Sequence, residues 1–218
     1  MGSVSLLERY QRISADLAGS GARLIAVSKT QPVSMIEELY RAGHRDFGEN
    51  YVQELLAKDR ELKERGITDL RWHFLGHLQT NKVRQLLPIV HAIHSVDSVR
   101  LAQEISKRAT GPVRIFIEVN VEGESTKSGF NPQELTDVLP QIGTLPHVEV
   151  RGLMCIPSPE GGGSGRAFRE LRALKELHRV HLGVGELSMG MSEDYGVAIR
   201  EGSSWVRVGT ALFGPRKP

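Results

Sequence analysis

Leu24-Ile25-Ala26-Val27-Ser28-Lys29-Thr30-Gln31-Pro32 is an apolar run that closes on a lysine and turns, without a glycine, into a proline. A short run with β-branched members reads as a buried strand. Pro32 suits the first position of a following helix, which carries Val33, Ile36, Leu39 and Tyr40 on one face and stops at Gly43. The rhythm recurs. Further apolar runs cover 46–50, 72–76, 92–97, 113–121, 148–156, 187–190 and 205–213, making eight with 24–29. Helical stripes lie between them, among them Val99, Leu101, Ala102 and Ile105, and Phe168, Leu171, Leu174 and Leu177. The shortest helical candidate is 192–199, and an extra helix over 6–17 precedes the first strand. Strict alternation implies a parallel sheet with right-handed crossovers. Eight units predict an α/β protein, a single (β/α)8 TIM barrel spanning 1–218. An open doubly wound sheet is the alternative, but its first turn is usually rich in glycine. The stretch 158–165 reads as a flexible loop inside the domain, because the rhythm continues across it.

Lys+Arg 28 against Asp+Glu 26 leaves a net charge of +2, with no basic block. Neither a nucleic-acid partner nor an anionic membrane is expected. The single cysteine, Cys155, allows no intrachain disulfide and fits a reducing compartment. No apolar stretch reaches membrane-spanning length. Residues 1–9 lack the basic and apolar regions of a secretory signal, and Leu6 breaks the myristoylation pattern. The expected location is cytoplasmic.

In a barrel of this kind, ligands bind at the C-terminal ends of the strands. Those ends carry Lys29, Glu49 and Asn50, Gly76 and His77, Asp97, Asn120, Pro157, Ser188 with Gly190 and Ser192, and Gly209 with Thr210. Two readings fit Lys29. It either reaches water, or it loses hydration at a buried strand end and becomes a neutral amine able to form a Schiff base. Ser188-Met189-Gly190-Met191-Ser192, which opens a helix, and Gly209-Thr210, which interrupts strand eight, read as a phosphate cradle or as plain turn chemistry. Alternation places Arg207 and Gly209 on one face and Val206 and Val208 on the other, so Arg207 points into the barrel and needs an acceptor. That acceptor is either the pyridine nitrogen of a vitamin B6 cofactor or a carboxylate, Glu49 or Glu118. His73 and His77 have helical metal spacing but lie on a strand, so no metal site is expected. His91 and His94 flank a strand start and read as structural. The loop 123–129 reads as a solvated turn or a cover over a ligand, and Cys155 as a small core residue.

Several separated segments together resemble one family. They are Ala26-Val27-Ser28-Lys29-Thr30, Phe47-Gly48-Glu49-Asn50-Tyr51-Val52-Gln53-Glu54 and Trp72-His73-Phe74-Leu75-Gly76-His77-Leu78-Gln79-Thr80-Asn81-Lys82. Lys127-Ser128-Gly129, Arg151-Gly152-Leu153-Met154, Leu187-Ser188-Met189-Gly190-Met191-Ser192 and Val206-Arg207-Val208-Gly209-Thr210-Ala211-Leu212-Phe213-Gly214 complete the set. Together they are similar to the pyridoxal phosphate homeostasis proteins, whose barrel is related to the N-terminal domain of alanine racemase. The resemblance implies a fold-type III barrel with pyridoxal 5′-phosphate joined to Lys29 as a Schiff base. It further implies Ser192, Gly209 and Thr210 at the phosphate, Arg207 facing the pyridine nitrogen and Asn50 beside the ring.

The expected function is cofactor buffering and delivery, with no catalytic residue assigned. A cationic Arg207 opposes protonation of the pyridine and makes the ring a poorer electron sink. The chain ends at Pro218, so it is expected to lack the second domain that brings alanine racemase its second base, and to be a monomer. Apo-enzymes that use the cofactor are the expected protein partners. The alternatives are a weak amino-acid racemase and a cofactor-free Schiff-base aldolase.

Overall fold

The eight apolar runs form eight strands. In the computed structural model, which describes residues 4–124, 126–158 and 163–215, β1 (Arg23–Val27), β2 (Asp46–Glu49), β3 (Arg71–Phe74), β4 (Val90–Val96), β5 (Val113–Glu118), β6 (Val148–Met154), β7 (Glu186–Ser188) and β8 (Trp205–Val208) close into a barrel in sequence order. All neighbours are parallel, and β8 returns to β1 with Ala26 opposite Val208. The helices are α1 (Leu6–Leu17), α2 (Val33–Arg41), α3 (Val52–Glu64), α4 (Val83–Leu86), α5 (Val99–Arg108), α6 (Leu135–Gly143), α7 (Ser164–Leu177), α8 (Tyr195–Arg200) and α9 (Thr210–Phe213).

Strand alternation sorts the side chains. On β1, Leu24 and Ala26 join the large apolar layer between sheet and helices, whereas Ile25 and Val27 face the axis. Val206 and Val208 belong to the same outer layer as Leu24, which leaves Arg207 inside. The axis holds a smaller apolar cluster of Ile25, Ala92, Phe116, Met154 and Trp205. Among the described residues, one helical turn, α9, follows β8. The extra helix α1 packs against α9, α2 and β1 and so completes the outer ring. A Ser5–Glu8 capping box starts it, and the Tyr195 hydroxyl donates to Asp16 at 2.6 Å to tie it to α8.

Several boundaries differ from the sequence reading. The run 205–213 contains a strand and a helix: β8 stops at Val208 and Gly209 is the N-cap of α9, so Gly209-Thr210 follows the strand instead of interrupting it. Pro32 sits one residue earlier than expected, at the N-cap of α2. The helix expected over 192–199 starts at Tyr195, because Asp194 accepts the Met191 N–H at 2.6 Å and holds a turn before it. Residues 159–162 of the loop 158–165 lie outside the described residues, and Ser164 and Gly165 already belong to α7.

The turn after β1 is held by an ionic cluster. Phe47 and Glu49 face outward from β2, and Glu49 is fully buried against α3. Lys58 donates to Glu49 at 2.8 Å, to Glu54 at 2.7 Å and to the Ser28 carbonyl at 2.6 Å. The Ser28 hydroxyl donates to Glu49 at 2.7 Å, and the Thr30 N–H to Glu54 at 2.5 Å. Thr30 has φ 63°, a strained value for a β-branched residue. The cluster therefore grips both residues flanking Lys29. Burial pushes the Glu49 carboxyl upward, against the pull of Lys58. Removing Lys58 strands a buried acid, so Lys58→Met is expected to cost about 3–5 kcal/mol in urea unfolding. Double replacement with Glu49→Gln should recover part of that loss.

Candidate functional site

Lys29 follows Val27 on the inward-facing series of β1 and is partly exposed at the C-terminal mouth. It shares a crevice with Val27, Gln31, Gly209, Thr210 and Gly214. The crevice is small, about 20 Å³, and larger surface hollows lie elsewhere, including one on the outer face of α3. The donor set marks this mouth, not its volume.

The predicted residues converge around that crevice. Val27 pairs with Gly48 across β1 and β2, and Asn50 lies two residues beyond Gly48, level with Lys29. The chain must pass close here: a Cβ on Gly76 would sit 2.0 Å from the Asn50 carbonyl oxygen. Ser192 reaches the same region, where its hydroxyl accepts the Ala211 N–H at 3.1 Å and links the turn after β7 to α9. Gly209 has φ −108°, and a Cβ there would meet Val27 only at ordinary contact distance. Neither backbone nor packing demands glycine, so the missing side chain leaves room for a ligand against the N-terminal N–H groups of α9.

Arg207 lies beneath this cradle, two residues before Gly209, and is 6% exposed. No carboxylate pairs with it among the described residues. Glu49 is engaged by Lys58 on the outside of the barrel, and Glu118 makes no ion pair with Arg207. Its guanidinium donates from Nη1 to the Ser188 hydroxyl and from Nη2 to the Cys155 carbonyl, both at 2.9 Å. Two of five donors are thus used by the described protein. Burial lowers the Arg207 pKa, but an arginine stays charged. An unpaired buried cation with spare donors suits a neutral ring nitrogen.

Ser188 starts a line of hydrogen bonds along the barrel axis. Burial alone would raise the Asp46 carboxyl, but hydrogen bonds from Arg71 and His73 outweigh it and hold the acid well below the usual range. Asp46 is therefore an acceptor, and His73 Nε2–H donates to it at 3.1 Å. Burial keeps His73 and His94 neutral. Consequently His94 Nε2–H donates to His73 Nδ1 at 2.9 Å, and the Ser188 O–H donates to His94 Nδ1 at 2.8 Å. Ser188 in turn accepts from Arg207, so each link runs toward Asp46. His94 also stacks on Phe116 at 4.2 Å.

Sequence reasoning missed this line. His91 and His94 lie within β4 instead of flanking its start, and His73 faces the axis while His77 pairs with Asp97 at 3.0 Å on the surface. The described residues contain no group of three or more His, Cys, Asp or Glu able to hold a metal ion. Glu118 was also missed as a titrating group: burial and then Asp97 push its carboxyl up to about 7 at this mouth. Strand parity was the available signal, since Glu118 shares the inward face with Phe116. Lys127, in the loop after β5, is held by Glu122 at 3.4 Å, Glu124 at 3.1 Å and the Ile156 carbonyl at 3.4 Å, which makes a tethered turn; Ser125 lies outside the described residues. Cys155 is buried and its thiol pushed up to about 12, chiefly by burial, as suits a core residue.

Two outcomes follow from the axial line. Ser188→Ala leaves Arg207 and His94 each short of a buried partner and should cost about 1–3 kcal/mol in chemical denaturation. Because the Asp46 pKa is depressed on folding, its contribution is present above the unfolded value of about 4 and is lost as pH falls below it. The stability gap between wild type and Asp46→Asn should therefore shrink between pH 5 and pH 3 in urea titrations.

Residues 4–217 match the family model for the alanine racemase N-terminal domain. The chain is 46% identical over 214 residues to the pyridoxal phosphate homeostasis protein of Pseudomonas aeruginosa, covering 96% of this chain and 90% of that one. It is 47% identical to the protein of the same name from Aquifex aeolicus, covering 97% and 96%. PipY of Synechococcus elongatus, solved with pyridoxal phosphate bound, superposes with a TM-score of 0.87 at 40% identity, covering 96% of this chain and 100% of that one. Its structure without the cofactor gives 0.89 at 41%, with the same coverage. Alanine racemase from Corynebacterium glutamicum shares the fold, with a TM-score of 0.73 at 19% identity over 97% of this chain and 62% of that one. With the fold and these likenesses in agreement, the chain belongs to the pyridoxal phosphate homeostasis protein family, within the alanine racemase N-terminal domain group.

Proposed function

We propose that the C-terminal mouth binds pyridoxal 5′-phosphate and that the protein holds this cofactor in reserve for apo-enzymes that need it. The carrying observation is the meeting of Lys29, Gly209 and Thr210 in one crevice above a buried arginine that lacks a carboxylate. The cofactor, when bound, supplies an aldehyde and an electron-withdrawing ring. Lys29 would offer its amine to that aldehyde, with water lost as a C=N bond forms. Gly209, Thr210 and Ser192 hold the phosphate through N–H and hydroxyl groups at the start of α9. Asn50 would stand beside the ring.

Arg207 sets the balance between storage and chemistry. A permanent cation aimed at the pyridine nitrogen opposes protonation there, and an unprotonated ring stabilises a substrate carbanion poorly. Storage is therefore favoured over turnover. The family name of the relatives supports that reading, and PipY's two structures, with and without the cofactor, support reversible loading. We assign the protein as a monomer acting in the cytoplasm. Weak amino-acid racemisation is the second reading, favoured by Glu118, a carboxyl that titrates near neutrality in the same mouth.

Borohydride reduction of cofactor-loaded protein, followed by peptide mass mapping, should place a pyridoxyl group on Lys29, and Lys29→Ala should abolish it. Labelling mainly at Lys82 or Lys127 would contradict the assignment. Incubation with single-enantiomer amino acids should show no loss of optical purity beyond that caused by free cofactor. Clear turnover that disappears in Glu118→Gln would establish the racemase reading instead.

A further inference from the structure

The N-terminal mouth, at the opposite end of the barrel axis, is built differently. Strands β1, β3, β5 and β6 deliver Arg23, Arg71, Arg114 and Arg151 to one cavity of about 360 Å³. Two carboxylates answer these four guanidinium groups. Asp46 is occupied by Arg71, at 2.7 and 2.6 Å, and by His73. Glu186 is shared between Arg23 and Arg151, the latter at 3.3 Å. Among the described residues Arg114 has no ion-pair partner. Its polar contact is His91 Nδ1 at 3.3 Å, on a ring whose pKa burial first, then His73 and Arg114, push down to about 4. Glu149 is paired with Arg114 in the β5–β6 register, yet forms no ion pair with it and lines a separate groove.

Two further features point to a ligand here. The register slips between Trp72 and His73 opposite β4, where Val90 and Ala92 are the successive partners, so His91 is the extra residue. It slips again between Ile115 and Phe116 opposite β6, making Arg151 the extra residue. Both extra residues line the cavity, and bulges at barrel rims commonly re-aim side chains in this way. In addition, the Trp205 indole N–H is buried without an acceptor, and its ring lines the same cavity beneath the Arg23 guanidinium, 3.7 Å from the ring centroid. A purely structural plug would match its charges and satisfy its donors. This one gathers like charges around a hollow and leaves a buried donor at its wall unmatched among the described residues.

We propose that the N-terminal mouth is a second binding site, taking a phosphate group, either inorganic phosphate or a small phosphate monoester. Arginine forks bind phosphate oxygens through paired charge-assisted hydrogen bonds. Arg114 supplies the cation that no carboxylate among the described residues neutralises, and the group seats against the Trp205 ring that lines the cavity. The site is separate from the cofactor mouth and does not rest on the proposed function.

The two tryptophans make the test direct, because the Trp72 indole N–H is already bonded to Asp59 at 3.0 Å. Inorganic phosphate and glycerol 3-phosphate are titrated separately into ¹⁵N-labelled protein, with potassium chloride holding ionic strength constant. The Trp205 indole resonance, on a ring that lines the cavity, should shift and saturate with at least one probe, while that of Trp72 stays in place. The tighter probe identifies the source of the group. Arg114→Gln, at an exposed position without a carboxylate partner, should weaken the apparent affinity roughly tenfold or more. A Trp205 resonance that stays still or drifts without saturating would overturn the proposal. So would a saturating shift that survives unchanged in Arg114→Gln, since that shift would come from the other mouth.

Discussion

The burial of Arg207 inside a closed barrel, with no carboxylate paired to it among the described residues, is the constraint around which the rest of the interior is arranged. A desolvated guanidinium costs free energy unless its N–H groups find acceptors. Here they are neutral dipoles, the Ser188 hydroxyl and the Cys155 carbonyl. Ser188 can accept from Arg207 only while it hands its own proton toward His94, and so the need passes through His94 and His73 to Asp46. Four inward side chains from β7, β4, β3 and β2 are thereby set in one orientation by an arginine on β8. Barrel cores of this kind are usually layers of branched aliphatic side chains. In this protein a polar line shares the axis with Ile25, Ala92, Phe116 and Met154.

Leaving Arg207 without an ion pair among the described residues has consequences at both ends. At the C-terminal mouth Arg207 lies two residues before Gly209, which shares a crevice with Lys29, and there the proposed ring nitrogen and aldehyde would be met together. Glu49, at the end of β2, is turned outward and held by Lys58, where it steadies the Lys29 turn. At the N-terminal mouth Asp46 anchors the line, and that commitment is one reason the four arginines there outnumber their carboxylates.

Much of this was legible in the residues. Alternating apolar runs and helical stripes gave the order of strands and helices, because burial on both faces of a parallel sheet leaves a continuous signal. Arg207 was legible because two valines flank it and strand parity is strict. Parity also sends Glu49 outward beside Phe47, although grouping strand ends by position alone had set it with the site. The partners of Arg207 were not legible. Ser188, His94 and His73 are far apart in sequence, and their contact depends on inter-strand register and on closure of β8 onto β1. The lower mouth is hidden for the same reason: Arg23 and Arg151 meet at Glu186 only in the closed barrel, and the bulges that turn His91 and Arg151 leave no composition signal.

The central claim is that Arg207 faces the ring nitrogen of a cofactor tethered at Lys29. The most direct measurement is the ¹⁵N chemical shift of that nitrogen in protein loaded with ring-labelled pyridoxal 5′-phosphate. The account predicts the shift of an unprotonated pyridine that accepts a hydrogen bond, constant from pH 6 to pH 9 and altered in Arg207→Ala. A pyridinium shift, or one indifferent to Arg207, would contradict it.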